Sequence, residues 1–461
     1  MNDIVCISPV DGREVARRRP ASEKEILAAL VAATKAQREW ALTPLAERKA
    51  KMLDFLAAMQ GQGDAVVPEL AMQMGRPVRY GGELRSFEER VRALVALSDE
   101  ALAPVTPAPK TGLRRMVKRT PAGLVFVIAP WNYPYLTAVN SIVPALLAGN
   151  AVILKHAAQT ILVGERFQIA MDKAGLPKHL FTTIALDHDG THRLIASKSV
   201  DHVSFTGSVE GGKAMERAAA GTFTTLGLEL GGKDPAYVRA DADFDYAVEN
   251  LVDGAFYNSG QSCCGVERIY AHASIYDRFV EAFADLASRY RLGDPRDQAT
   301  TLGPMAAARF AELVRSHAAE AIAKGARPLV DSNRFAADRA GSAYLAPQVL
   351  VGVDHTMRVM TEESFGPIVG IMKVNSDEEA LQLMNDSPYG LTASIWTQDS
   401  EAAEGIGDGV ATGTIFMNRC DYVDPELAWT GVKDTGRGTG MGPFGFEAVT
   451  RPKSFHLRLE H

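Results

Sequence analysis

From residue 124 onward the chain alternates short apolar runs with stretches long enough for a helix, and this rhythm constrains the fold more than any other feature. Segments 124–128, 151–154, 181–185, 202–205 and 223–228 read as strands, and the first four are each followed by room for a crossover helix. A strand covered on both faces needs a nearly continuous apolar run, so the pattern specifies a buried parallel sheet flanked by helices. A second α/β series follows residue 231, with strands expected at 266–271, 368–374, 391–396 and 413–417 and an edge strand at 454–459. With 461 residues the chain is too long for one core. Ahead of these series, Ile26, Leu27, Leu30 and Val31 fall at helical spacing within 22–60, and Ser22 with Glu25 forms a capping-box signature. Between 98 and 122, Pro104, Pro107, Pro109 and Pro121 punctuate a basic stretch that reads as an extended departure from the main fold.

Composition excludes several classes of function. A formal charge of −7 gives no general polyanion-binding surface, and basic runs such as Arg17-Arg18-Arg19 are short, so no nucleic-acid partner is expected. The N-terminal segment carries Asp3 and lacks a long apolar run, which predicts neither a signal peptide nor a membrane span. Four cysteines, two of them adjacent, fit a reducing cytoplasm better than a disulfide scaffold. The ten histidines form no His-Glu-x-x-His arrangement, and no metal is expected. Leu459-Glu460-His461 reads as an expression-vector remnant and carries no weight in the fold argument.

Chemistry concentrates in two places. Gly260-Gln261-Ser262-Cys263-Cys264-Gly265 sets thiols in a glycine-rich loop, where a cysteine is a candidate nucleophile. Glu229 sits between Leu228 and Leu230, which would raise the pKa of its carboxyl in a dry site and suit it to general-base work. Taken singly, each residue has an ordinary reading: unpaired cysteines are often small buried hydrophobes, and most glutamates lie on surfaces. Two glycine patterns mislead. Gly440-Met441-Gly442-Pro443-Phe444-Gly445 matches the dinucleotide fingerprint without a strand–helix unit around it, and Asp234 stands where a P-loop after Gly227 to Lys233 needs Ser or Thr.

The Glu229 and Cys263 motifs, together with Pro130-Trp131-Asn132, Lys155, Phe205-Thr206-Gly207-Ser208 and Glu362-Glu363-Ser364-Phe365-Gly366-Pro367, occur in an order and at spacings that resemble the aldehyde dehydrogenase superfamily over almost the whole chain. The resemblance implies a Rossmann-like dinucleotide-binding domain from 1–102 and 122–230, an α/β catalytic domain from 231–440, and a small β oligomerisation extension from 103–121 and 441–461. It implies oxidation of an aldehyde to the carboxylic acid with NAD or NADP, by a homodimer or homotetramer. The family's Gly-Gln-any-Cys pattern selects Cys263 as nucleophile. Asn132 and the Cys263 backbone N–H would hold the oxyanion, and Glu229 would activate the hydrolytic water. Trp131, Lys155, Gly207, Ser208, Glu363 and Phe365 match cofactor-binding positions. A glutamate at 229 argues against the coenzyme A-acylating members, and an intact Cys263–Glu229–Asn132 set argues against a silent structural member.

Three departures from the family pattern matter. After Lys155 the chain reads His156-Ala157-Ala158, so Ala158 replaces the glutamate that usually grips the adenosine ribose, and NADP is expected to be tolerated. A second carboxylate that relays protons in some members aligns with Gly440. The loop Arg419-Cys420-Asp421-Tyr422-Val423-Asp424-Pro425-Glu426 is unusually acidic, with Arg419 as a candidate clamp for a substrate carboxylate. Tyr135, Asn140 and Tyr257 complete an aromatic, partly polar entrance suited to a small polar aldehyde or a semialdehyde.

Overall fold

The computed structural model describes residues 3–460; Met1, Asn2 and His461, at the outer ends of the expected segments, lie outside the described residues. Two sheets carry the chain. The first has six strands in the order Gly436–Arg437, Thr225–Glu229, His202–Thr206, Leu124–Ala129, Ala151–His156, Phe181–Thr183. All pair in parallel except Gly436–Arg437, which runs antiparallel to Thr225–Glu229. The second sheet has seven, ordered Arg327–Pro328, Gln348–Val351, Ile368–Val374, Val266–His272, Asp234–Val238, Thr392–Trp396, Thr414–Met417. The α/β class and both parallel series read from the sequence are present.

Burial explains the strand sequences. Every residue of Leu124–Ala129 and of Thr392–Trp396 is buried, as a central parallel strand requires. Asp234–Val238 is equally buried but begins Asp-Pro, a turn signature, and so escaped the sequence reading. The helical spacing over 22–60 resolves into two helices, Glu23–Trp40 and Leu45–Gln60. Pro44 divides them, because the residue before a proline is pushed out of helical geometry. The capping box forms as read, with Ser22 and Glu25 each satisfying the other's backbone N–H.

The proline-punctuated stretch supplies Leu113–Pro121, which pairs antiparallel along its full length with Thr450–Arg458 in a largely exposed ribbon. Between the second sheet and this ribbon the chain returns to the core around the first sheet. Gly442–Ala448 packs there, with Phe446 and Val449 buried in the first core.

In the first sheet the chain steps from Leu124–Ala129 outward to Ala151–His156 and Phe181–Thr183, then jumps back to His202–Thr206 on the other side. Crossovers on either side of such a switch point diverge and leave a crevice beyond the carboxyl ends of the strands. Trp131 and Asn132 follow one of those strands and Gly207 and Ser208 the other.

Candidate active site

The thiol loop is built on strained backbone. Helix Phe244–Phe256 ends, and Asn258, Ser259 and Gly260 follow at φ of 52°, 58° and 67°. Left-handed non-glycine residues cost about 1–3 kcal/mol each and persist only where the surroundings hold them. Here Arg76 Nε donates to Asn258 Oδ1 at 3.2 Å, Ser259 Oγ to Gly303 O at 2.9 Å, and Ala306 N–H to Gln261 Oε1 at 2.8 Å. Gly260 is obligatory, because a Cβ there would lie 2.2 Å from Gly366 O.

The turn presents the adjacent cysteines differently. Cys263 is partly exposed; Cys264 is buried and donates from Sγ to Asp421 Oδ1 at 3.3 Å. Contact with the Cys263 thiol, burial and the Asp421 carboxylate together hold the Cys264 thiol well above its ordinary pKa, so it stays protonated.

Two cavities meet at Cys263. One, of about 310 Å³, includes Arg90, Asn140, Glu229, Tyr257, Asp421 and Trp429 in its lining. The other, of about 440 Å³, includes Trp131, Lys155, Ser208, Glu363 and Phe365. Cys263, Thr206 and Leu230 line both.

Asn132 is buried, and its Nδ2 donates to Gln261 O at 3.2 Å, which fixes the amide against the thiol loop. Its own carbonyl accepts from Arg76 Nη2 and from Asn258 Nδ2. Arg76 is paired with Glu83, both side chains 2% exposed, and Glu83 also accepts the Tyr135 and Leu136 N–H groups at 2.9 and 2.8 Å. Glu83 thus satisfies two orphan donors at the N-terminus of helix Pro134–Ala148, where a carboxylate is favoured by the helix dipole.

Glu229 ends its strand with Thr206 Oγ1 donating to its Oε2 at 3.1 Å. Burial raises its pKa; the Thr206 hydroxyl and the Arg90 charge oppose that shift. A Cβ on Gly440 would stand 2.7 Å from Glu229 Oε1, so the glycine leaves room for the carboxyl.

The second cavity fits a dinucleotide. Ser208 caps helix Val209–Ala219, accepting from Gly211 N–H at 3.2 Å, and the remaining first-turn N–H groups suit a pyrophosphate. Gly207 must be bare, since a Cβ would meet Phe205 Cζ at 2.6 Å. Lys155 lies at the end of Ala151–His156, its pKa lowered to about 8 by burial. Glu363 accepts from Gly232 N–H at 2.9 Å, and burial followed by the neighbouring Glu267 charge pushes its pKa up to about 8. Trp131 stacks on Phe310 at 5.1 Å and meets Phe365 edge-on at 5.5 Å. Phe365, at φ 50°, is pinned where Glu267 accepts the Ser364 and Phe365 N–H groups at 2.8 and 2.9 Å, with buried Lys233 as its counter-ion.

The two cavities take in most of the sequence-derived site residues but not all. Tyr135 is fully buried and stacks on Phe167 at 5.7 Å, so it belongs to the core. The Arg419 guanidinium lies 3.4 Å over the Tyr422 ring, outside both linings. Ala158 is exposed beside the second cavity, whose lining takes Ala157 instead. Arg76, Glu83, Arg90, Lys233 and Glu267 were not singled out in the sequence; a charged residue gives no sign of burial until the fold shows which groups surround it.

Comparison with known proteins agrees with this geometry. Residues 1–455 match the model of the aldehyde dehydrogenase family. The chain is 33% identical to geranial dehydrogenase of Castellaniella defragrans over 93% of its length and 90% of the relative's. It is 30% identical to the succinate semialdehyde dehydrogenase [NAD(P)+] Sad of Escherichia coli, over 96% of this chain and 95% of the other. Among solved structures, PnpE in complex with nicotinamide adenine dinucleotide superposes with a TM-score of 0.95 at 29% identity, covering 100% of this chain and 95% of that one. With Cys263 lining both cavities, Glu229 the first and Asn132 the second, the chain belongs to the aldehyde dehydrogenase family.

Proposed function

We propose that this NAD(P)-dependent aldehyde dehydrogenase works through Cys263 as nucleophile, Asn132 as oxyanion donor and Glu229 as general base, on a small aldehyde whose far end carries a carboxylate. The observation that carries the catalytic assignment is that Cys263 is the one cysteine lining both cavities, so one sulfur can face substrate and cofactor. The Cys263 thiolate adds to the aldehyde carbon, and the resulting oxyanion accepts from Asn132 Nδ2 and the Cys263 N–H. One such donor is worth about 3–4 kcal/mol of transition-state stabilisation. A bound nicotinamide dinucleotide supplies the hydride acceptor. The thioester left on Cys263 is then hydrolysed by a water whose proton goes to Glu229, releasing the acid and expelling the Cys263 thiolate. Thr206 orients the base, and Arg76 with Glu83 holds the Asn132 loop.

Arg90 supports the carboxylate-bearing substrate. It is 8% exposed, lines the first cavity, and among the described residues its hydrogen bonds, to Leu136 O and Asn140 Oδ1, both run from Nη1. Nε and Nη2 are therefore available for a substrate carboxylate. A second reading, a cationic aldehyde, draws on Glu89, Asp253, Asp421, Tyr422 and Trp429 in the same lining.

A panel of aldehydes matched in length and ending in carboxylate, methyl or ammonium, assayed with NAD and NADP and with and without coenzyme A, tests all of this. The carboxylate series should have the highest kcat/KM without coenzyme A, and Arg90→Gln should raise KM for that series alone. Preference for the ammonium series would replace the first substrate reading with the second.

The ribbon of Leu113–Pro121 and Thr450–Arg458 exposes strand edges that invite pairing, which supports a homodimer or homotetramer. No helix among the described residues is long and apolar enough to cross a membrane, and four free thiols support a reducing, cytoplasmic setting.

A further inference from the structure

Cys263 and Cys264 are the two central residues of a turn closed by Gly265 N–H donating to Ser262 O at 3.2 Å. The first and third residues of that turn are held by one side chain from a loop distant in sequence. Ser262 Oγ donates to Asp421 Oδ1, and Cys264 Sγ donates to the same oxygen at 3.3 Å. The two donors are 3.7 Å apart, so the carboxylate closes on the turn from one side. Cys263, between them in sequence, lines both large cavities.

The loop that carries Asp421 is fastened at three points. Asn418 exchanges two hydrogen bonds with Thr397, its Oδ1 accepting from the Thr397 N–H at 3.0 Å and its Nδ2 donating to Thr397 O at 2.8 Å. Cys420 Sγ donates to Asn250 O at 3.5 Å and rests on Gly254, where a Cβ would stand 2.4 Å from the sulfur. Tyr422 OH donates to Glu89 Oε1 at 3.1 Å. Along this loop Asn418 and Asp421 take φ of 54° and 46°. Asn and Asp adopt such left-handed backbone more readily than other residues with a side chain, but it still costs free energy that the anchors must offset.

We propose that Asp421 is a positioning residue for the nucleophile: it clamps the residues on both sides of Cys263 and keeps the proton on Cys264. The proposal rests on the reading of Cys263 as nucleophile. A thiol at 264 can donate to the carboxylate, whereas a thiolate there would face two anions, Asp421 and the Cys263 thiolate. Holding the Cys264 proton therefore leaves a single negative sulfur in the turn, on the residue that lines both cavities. Burial pushes Asp421 up to about 6 against the Ser262 and Cys264 hydrogen bonds, so the carboxylate still carries its charge at pH 8.

Asp421→Asn removes the charge but keeps the size and a side chain suited to left-handed backbone. In a Cys263→Ala background, alkylation of Cys264 by iodoacetamide at pH 8, followed by mass spectrometry, reads the protonation of that thiol. Asp and Asn at 421 leave the same access to it, and the Asn chain should be labelled about tenfold faster, the low end of what a hydrogen bond to a charged group supplies. With Cys263 present, stopped-flow measurement should show the burst of reduced cofactor slowed about tenfold in Asp421→Asn, less than the roughly 10²-fold that a full ångström of misplacement can cost. The slowing should be equal for aldehydes ending in carboxylate, methyl and ammonium, with no change in the aldehyde concentration that half-saturates the burst rate.

Unchanged alkylation of Cys264, or an unchanged burst in Asp421→Asn, overturns the clamp. So does a loss confined to the ammonium series, which would make Asp421 a substrate contact in the first cavity. Cys263→Ala separates the two readings: if it still turns over, the nucleophile assignment fails, whereas an inactive Cys263→Ala beside a normal Asp421→Asn defeats the clamp alone. Ser262→Ala keeps the test valid if Asp421→Asn does not fold. It removes one arm of the clamp, so the burst should slow while Cys264, in the Cys263→Ala background, is alkylated at the parent rate; a normal burst overturns the clamp.

Discussion

Removing the charge of Glu83 should damage both stability and catalysis, and the two effects should be separable. In Glu83→Gln the side chain keeps its size and one acceptor oxygen, but Arg76 becomes an uncompensated cation with 2% of its side chain exposed. Breaking a buried pair in this way costs about 3–5 kcal/mol, most of it desolvation left unrepaid. Arg76 would be drawn toward water, releasing the Asn132 carbonyl and Asn258 Oδ1, so the oxyanion donor loses its anchor. If half of a donor's worth is lost, kcat/KM falls roughly tenfold. The decisive comparison adds Arg76→Met. The double variant buries no unpaired charge and should regain most of the stability lost in Glu83→Gln, while kcat/KM stays low because nothing clamps Asn132. Denaturant unfolding followed by far-UV circular dichroism, with steady-state kinetics on the same samples, reads both. A double variant as unstable as the single, or a Glu83→Gln enzyme with wild-type kcat/KM, refutes the reasoning.

Three further outcomes are expected. Cys263→Ala should abolish dehydrogenase turnover while Cys264→Ala retains most of it, and iodoacetamide should label Cys263 first, because Cys264 is buried and held as a thiol beside Asp421. Ala158→Glu should shift the ratio of kcat/KM values toward NAD, since the added carboxylate accepts a ribose hydroxyl, worth about 1.5–3 kcal/mol, and repels a 2′-phosphate; an unchanged ratio would remove position 158 from cofactor choice. Glu363, its pKa raised to about 8 in the folded cofactor-free chain, binds its proton more tightly folded than unfolded. Its contribution to stability is therefore full below the ordinary carboxylate range and is lost as pH rises toward 8. Glu363→Gln should flatten the fall in Tm between pH 5 and pH 8, as measured by differential scanning calorimetry; an unaltered slope would place the pH dependence elsewhere.

The sequence by itself determined the α/β class, both strand series and the capping box at Ser22. Strand burial and helix capping are local: an apolar run such as Val125-Phe126-Val127, bounded by Gly123 and Pro130, reads as a covered strand, and Ser22 caps through Glu25 three residues on. The Asp-Pro start hid strand Asp234–Val238 because local turn chemistry and tertiary burial point opposite ways there, and burial wins. What only the tertiary structure decided is how charges and cavities combine. Glu83 meets Arg76 nearby in the chain, but Arg76 reaches Asn132 and Asn258 and Glu83 reaches the Tyr135 and Leu136 N–H groups, far away in sequence; Glu267, from strand Val266–His272, and Lys233, just ahead of Asp234–Val238, stabilise the Phe365 loop. Tyr135 is core rather than entrance because its helix turns that face inward, and Arg419 covers Tyr422 rather than the cavity. A side chain's direction depends on packing between elements, and the room that Gly440 leaves for Glu229 exists only once those segments are neighbours.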